Sequence, residues 1–373
     1  MNFKIKTKIL KKYLKHLALG IPPVAHRPEL YGVAIDVYDN RVVFQIRNDY
    51  FDLKIEEVDL NVLEIVAPGK ILVKAKTLNE IVQKIEDEDI ELIAIDKNIL
   101  VVKSEDSEYE LNLLNSDKYE RAIFNYDQGL ELKIDSFDFK NLIQKVVVAG
   151  NEKSSRRILQ GVNLIYKDGI INAFATDNVH ISFAKTRAKA EQDFEKIIPI
   201  KILKELIRIF DERGELTLIF FDQKLIVQAE NAIVQTNLIE GKFPNLLDMF
   251  PQEFKFKLLT QKEELITLID RTTILNPNKT STSLLVKLII NNDELSFESR
   301  ELEIGYANVT TKNFTFEGEN IFQISFSPKY IIEALKNIDN EMVEIKFNSS
   351  QEPFIINGQN DNNFKSLILP FRT

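Results

Sequence analysis

One ten-residue helical pattern is written three times in this chain, and that repetition limits the architectures open to it. The stretches KTLNEIVQKI (76–85), KILKELIRIF (201–210) and KYIIEALKNI (329–338) each begin with Lys and carry Glu at the fifth position. Apolar residues fall at i, i+3, i+4 and i+7: Leu78, Ile81, Val82 and Ile85; Leu203, Leu206, Ile207 and Phe210; Ile331, Ala334, Leu335 and Ile338. That spacing lines one side of a helix, which buries it and leaves the other side in water. The copies start 125 and 128 residues apart, far beyond a solenoid period, so each marks a domain.

The flanks repeat as well. An acidic turn follows each copy (EDED, DERG, IDNE), then two strand-like runs: ELIAI and ILVVK, LTLIFF and LIVQA, VEIKF and PFIING. Earlier in each unit a short strand (FKIK, LELKI, FKFKL) leads into another helix, with Thr7, Ser136 and Thr260 expected as N-caps. NRVVFQIRNDYFDLKI (40–55) and DGIINAFATDNVHISF (168–183) run in register at an offset of 128, which sets Asp49 against Asp177 and ties the Asp to a repeated hairpin. The expected fold class is α+β: three tandem similar domains, 1–126, 127–253 and 254–373, each with two helices packed on antiparallel sheets.

Composition removes several classes of function. With no Cys and only three scattered His (His16, His26, His180), a thiolate or zinc centre is not expected. The 12 Gly form no phosphate-binding fingerprint. No apolar run reaches the ~20 residues that span a bilayer, and lysines interrupt the N-terminal stretch, so a cytoplasmic protein with no membrane partner and no cofactor is expected.

Charge is segregated. Residues 1–28 hold six Lys and Arg27 with no acid, so the net charge of −9 becomes −16 once those seven cations are set aside. In the first helix Lys8, Lys11, Lys12 and Lys15 fall opposite Ile9, Leu10, Tyr13, Leu14 and Leu17; Lys201, Lys204 and Arg208 likewise oppose Leu203, Leu206 and Ile207. A lysine-bearing helix face is ordinarily just solvated surface. Repeated on an acidic protein, it can line a channel for a polyanion, touching phosphates without reading bases.

The domain plan, ATDNVHISFA (175–184), EGKFPNLLDMFP (240–251) and the ending LILPFR together resemble the bacterial replicative sliding clamp, the beta subunit of DNA polymerase III, over the whole chain. The resemblance implies the DNA clamp fold: a ring of two head-to-tail protomers, six similar domains around a helix-lined hole. It implies a non-catalytic processivity factor whose partners are double-stranded DNA of any sequence, the replicative polymerase, a clamp loader, other proteins with clamp-binding motifs, and a second copy of the chain.

It also assigns residues. A partner-peptide cleft would take Arg156, Leu159, Thr176, His180, Ile181, Pro244, Met249, Tyr330, Pro353, Leu367, Leu369, Pro370, Phe371 and Arg372. Each apolar anchor buried there would contribute roughly 1.5–3 kcal/mol. DNA would meet Lys11, Lys15, Arg27, Lys153, Lys201, Lys204 and Arg208, and the protomer interface would set Ile274 and Leu275 against Tyr109 and Leu111 of the other chain. The chain departs from the family pattern at Asn178, Val179 and His180, where Gly-His-Arg is usual, at Asp248 in place of Arg, and at Thr373 in place of an apolar end. Two other readings stay open: a non-DNA repeat scaffold, and an α+β hydrolase using Asp177 and His180. For the tail itself, the alternative is a final core strand with a frayed end.

Overall fold

The computed structural model describes residues 1–96, 98–125, 129–276, 284–291, 293–301, 303–318 and 321–371. Among the described residues are six α-helices: α1 (Thr7–Ala18), α2 (Ala75–Val82), α3 (Ser136–Val147), α4 (Ile200–Ile209), α5 (Lys262–Thr272) and α6 (Pro328–Lys336). The strands form four antiparallel sheets. The threefold pattern lands on α2, α4 and α6, and its twelve apolar positions are buried apart from Ile81, at the margin. The boundary expected between residues 126 and 127 lies outside the described residues.

The expected N-caps are not caps. Thr7 and Ser136 are the first residues of α1 and α3, and Thr260 lies in the strand Phe256–Gln261 before α5. Their hydroxyls go elsewhere: Ser136 donates to the Glu212 carbonyl and Thr260 to the Asn313 carbonyl, while Thr7 Oγ1 is buried with no hydrogen-bond partner. The reason is a backbone contact that recurs in each repeat. The first helical N–H of α1, α3 and α5 donates to a carbonyl of the acidic turn: Thr7 to Glu88 at 2.9 Å, Ser136 to Gly214 at 2.8 Å, Lys262 to Glu341 at 2.8 Å. A helix end must satisfy its free N–H groups somehow; here a distant turn satisfies one in each case. At α3 Asp135 takes the next, its carboxylate accepting from Phe137 N at 2.9 Å.

The chain forms two compact units. The first comprises residues 1–137, 189–191 and 204–238. Its larger sheet has nine strands in the order Lys189–Ala190, Leu130–Asp135, Glu215–Phe220, Lys224–Ala229, Ala232–Asn237, Phe51–Glu57, Val42–Arg47, Gly32–Val37, Gly69–Lys74. The junction between Ala232–Asn237 and Phe51–Glu57 is a regular ladder that pairs Val234 with Leu53, so strands of two sequence repeats share one sheet. The smaller sheet ends on the edge strand Glu108–Asn112. Buried beside the sheets is a polar knot in which the Tyr13 hydroxyl donates to Glu57 at 2.5 Å and accepts from Asn231. On Gly32–Val37, the buried Asp36 carboxylate takes both Nε and Nη2 of Arg121 at 2.6 Å.

The second unit comprises residues 138–188, 192–203 and 239–373. Its nine-stranded sheet runs Phe194–Pro199, Gly161–Lys167, Ile170–Thr176, His180–Arg187, Phe364–Ile368, Phe354–Gly358, Met342–Phe347, Phe256–Gln261, Phe314–Glu317. Here too a ladder crosses repeats, pairing Ile181 with Leu367 and Ser182 with Ser366. A four-stranded sheet ends on the edge strand Gly305–Thr311. No helix among the described residues is long and apolar enough to cross a membrane.

Candidate peptide-binding face

The tail enters the second unit as a strand. Phe364, Ser366, Leu367 and Ile368 are buried, so the last strand is covered on both faces and the core-strand reading of its first half holds. Beyond it the backbone stays tethered: Leu369 N donates to the Val179 carbonyl at 3.0 Å and Phe371 N to the Ser325 carbonyl at 2.7 Å. Leu369 is 37% exposed, and Pro370 and Phe371 are half-buried. Arg372 and Thr373 lie outside the described residues.

Strand alternation sorts the expected cleft residues onto two faces. On one face Leu159, Ile181 and Leu367 join a cluster with Phe174, Phe183, Ile197, Ile239, Phe243, Leu246, Phe250 and Ile355. The segment 239–254 supplies its cover, Phe250 packing edge-on against Phe183 with ring centroids 6.1 Å apart. From that cover Met249 projects 57% exposed, and Pro244 and Asp248 are exposed too, Asp248 accepting from Asn245 at 2.6 Å. Arg156 is exposed and Pro353 half-buried. An apolar floor with exposed Met249 and Leu369 above it leaves hydrophobic surface on which a short apolar segment can be buried.

On the opposite face His180 meets Tyr330 of α6, ring centroids 5.2 Å apart. Both side chains are buried, and burial pushes the His180 imidazole down to about 4 and the Tyr330 hydroxyl up. His180 Nε2 lies 2.6 Å from Ser366 Oγ and 3.3 Å from Ser182 Oγ, while Nδ1 has no hydrogen-bond partner. Asp177 therefore does not orient the ring. Its carboxylate instead accepts from Val179 N at 2.9 Å and His180 N at 2.8 Å, closing the hairpin. A hydrolase built on this pair would need the missing Asp–His bond and an accessible nucleophile; Ser366 is fully buried.

The repeated-hairpin reading of Asp49 needs a correction. In the first hairpin Asn48 does this job, accepting from Tyr50 N at 2.7 Å and Phe51 N at 2.9 Å. The departure at Asn178 has a backbone cause: φ is 79°, a left-handed conformation that Asn tolerates better than most non-glycine residues. Thr176, also buried, accepts from Asn178 N at 3.1 Å and donates to the His180 carbonyl at 2.8 Å.

Domain profiles of the DNA polymerase III beta subunit match nearly the whole chain: the N-terminal domain at residues 1–123, the central domain at 133–245 and the C-terminal domain at 248–372. The chain belongs to the DNA polymerase III beta subunit family. Among relatives, a protein of Mycoplasma capricolum named beta sliding clamp is 27% identical over 99% of both chains, and one of Bacillus subtilis with the same name is 28% identical over the full length of both. The crystal structure of the Bacillus subtilis DNA polymerase sliding clamp matches with a TM-score of 0.92 at 26% identity, covering 100% of this chain and 99% of that one. The DNA polymerase III beta chain of Streptococcus pneumoniae matches equally well, at 26% identity and a TM-score of 0.92 over all of both chains.

In this beta-subunit chain the remaining expected residues are dispersed. Lys15, Arg27, Lys153, Lys201, Lys204 and Arg208 are exposed and Lys11 half-buried; Arg208 pairs with Glu205 at 3.0 Å. Lys12, grouped with them by helical position, is bound to Glu212 at 2.7 Å. Tyr109 (38% exposed) and Leu111 lie on the edge strand of the first unit; Ile274 (67% exposed) and Leu275 follow α5 in the second. Sequence reasoning missed Phe243, Leu246 and Phe250, although their apolar spacing inside a proline-containing loop was a signal. No group of three His, Cys, Asp or Glu among the described residues could hold a metal.

Proposed function

We propose that this protein is a DNA sliding clamp. Two copies would associate head to tail, the edge strand that carries Tyr109 and Leu111 of one meeting the turn after α5 that carries Ile274 and Leu275 of the other, enclosing duplex DNA. Three domains, 1–126, 127–253 and 254–373, would build each protomer. The observation that supports this most is the likeness, over the whole chain, to a DNA polymerase sliding clamp at a TM-score of 0.92. The exposed cations of α1 and α4 agree with it: diffuse contacts to phosphates hold a duplex without fixing a register, whereas tight base contacts would stop sliding.

In this reading the protein is cytoplasmic and carries out no chemistry. It tethers the replicative polymerase, receives a clamp loader and other motif-bearing proteins, and docks them at a face that would draw on Arg156, Leu159, Thr176, Ile181, Pro244, Met249, Pro353, Leu367, Leu369, Pro370, Phe371 and Arg372, with His180 and Tyr330 packed on the opposite side of the sheet as its support. A ring held by enclosure stays on nicked circular DNA after loading and runs off linear duplex, and gel filtration after loading separates the two. Equal escape from circle and line would remove the enclosure reading and restore the scaffold.

A further inference from the structure

The sheet face that carries the apolar cluster continues into a row of ammonium groups. Along His180–Arg187, alternation puts Ile181, Phe183 and Lys185 on one face. The ladder sets Ile181 against Leu367 and Phe183 against Lys365, so Lys365 shares that face. Further across, Leu367 pairs with Ile355, Ile355 with Lys346, and Lys346 with Lys257. Four lysines from four strands therefore stand beside the cluster, in which Phe250 packs on Phe183.

Their compensation is incomplete. Glu344 serves two of them, at 2.7 Å from Lys346 and 3.2 Å from Lys257. Among the described residues no carboxylate pairs with Lys185 or Lys365, which are both half-buried. Burial, then the charges of Lys346 and Lys185, pushes the Lys365 ammonium down, with Asp361 opposing. Like charges gathered on a partly desolvated face favour an anion brought from outside.

We propose that this lysine row receives carboxylates of the same partner peptide whose apolar side chains pack at the neighbouring exposed Met249 and Leu369, so that the chain selects ligands with an acidic stretch flanking their apolar anchors. The inference rests on the peptide-docking reading of Leu369 and Met249. Lys365 precedes Leu369 by four residues, about 13 Å along a strand, so the acids sit roughly four extended residues from the anchor. Exposed apolar side chains adjoining the row fit a peptide better than a polyphosphate chain.

The test uses full-length protein and three labelled peptides with a Leu-Phe anchor: one with an Asp-Glu-Asp flank on the N-terminal side, one with it on the C-terminal side, and one with a Ser-Gly-Ser flank. One acidic peptide should bind about five- to tenfold tighter than the neutral one. The advantage should vanish in ~0.5 M salt and in K185E/K365E, and shrink in the milder K185Q/K365Q, with circular dichroism verifying the fold of each. Equal affinity of all three peptides overturns this inference and leaves the docking reading standing. If no anchored peptide binds, both fall. If short single-stranded DNA binds the row while the acidic flank adds nothing, the row is a nucleic-acid contact and the inference is likewise overturned.

Discussion

His180 Nε2 and Ser366 Oγ lie 2.6 Å apart across a ladder that joins the second and third sequence repeats, and both side chains are buried. The imidazole is neutral there because burial lowers it to about 4, against an ordinary 6.5. The unfolded chain then binds more protons than the folded one between those values. Stability is full above pH 6.5 and falls as pH drops toward 4, by up to about 3 kcal/mol. Urea midpoints of wild type and His180→Phe across this range should diverge, wild type losing more; parallel curves would refute the assignment.

Arg121 should matter more than its partly exposed position suggests. Arg121→Ala strips the buried Asp36 carboxylate of its forked partner and should lower stability by about 3–5 kcal/mol. The double variant Asp36→Asn with Arg121→Gln should recover part of that loss, because no buried charge is left unpaired. Equilibrium unfolding of both variants measures the difference.

The proposed protomer contact is open to a direct assay. Ile274 is 67% exposed in the single chain, so truncating it should leave folding nearly intact. Replacing Ile274 and Leu275 by Ala should shift the protein toward monomer in light scattering, through lost burial of about 2 kcal/mol or more per side chain across the contact. An unchanged mass would reassign the interface.

Deleting Leu369–Thr373 removes the residues beyond the last strand and spares the buried strand Phe364–Ile368. Binding of anchored peptides, followed by calorimetry, should be lost while the oligomeric mass stays the same. Wild-type affinity after the deletion would make the tail a structural strand alone.

Reversing Lys11, Lys15, Lys201 and Lys204 to Glu should impair loading onto DNA more than retention on a circle. Entry depends on long-range attraction to phosphates, whereas retention depends on closure. Comparable losses in both measurements would mean that the ring is held by contact.

The helices were legible because their apolar residues recur at helical spacing and bury accordingly, as in Leu203, Leu206, Ile207 and Phe210. The hairpins were legible from their offset. The helix starts were not: a Thr or Ser before an apolar run looks like a cap, but the N–H groups of Thr7, Ser136 and Lys262 bond to carbonyls some 80 residues away. No local pattern encodes that. Asp49 misled for a related reason, since either of two adjacent polar residues can close the turn and the backbone chose Asn48. In the proposed docking face, the strand of Leu367 was readable as apolar, but its burial on both sides depends on partners far off in sequence. Lys365 looks like any other solvated lysine until the ladder sets it opposite Phe183.

The two ladders that cross repeats, Phe51–Glu57 with Ala232–Asn237 and His180–Arg187 with Phe364–Ile368, bear on how such a chain could be assembled from copies of one segment. A middle repeat produced alone would present two rows of unanswered N–H and C=O groups and would polymerise edge to edge. Joining copies in a single polypeptide replaces that concentration-dependent encounter with one set by the length of the connecting chain. In the single chain each seam between repeats is thus an aggregation contact made intramolecular.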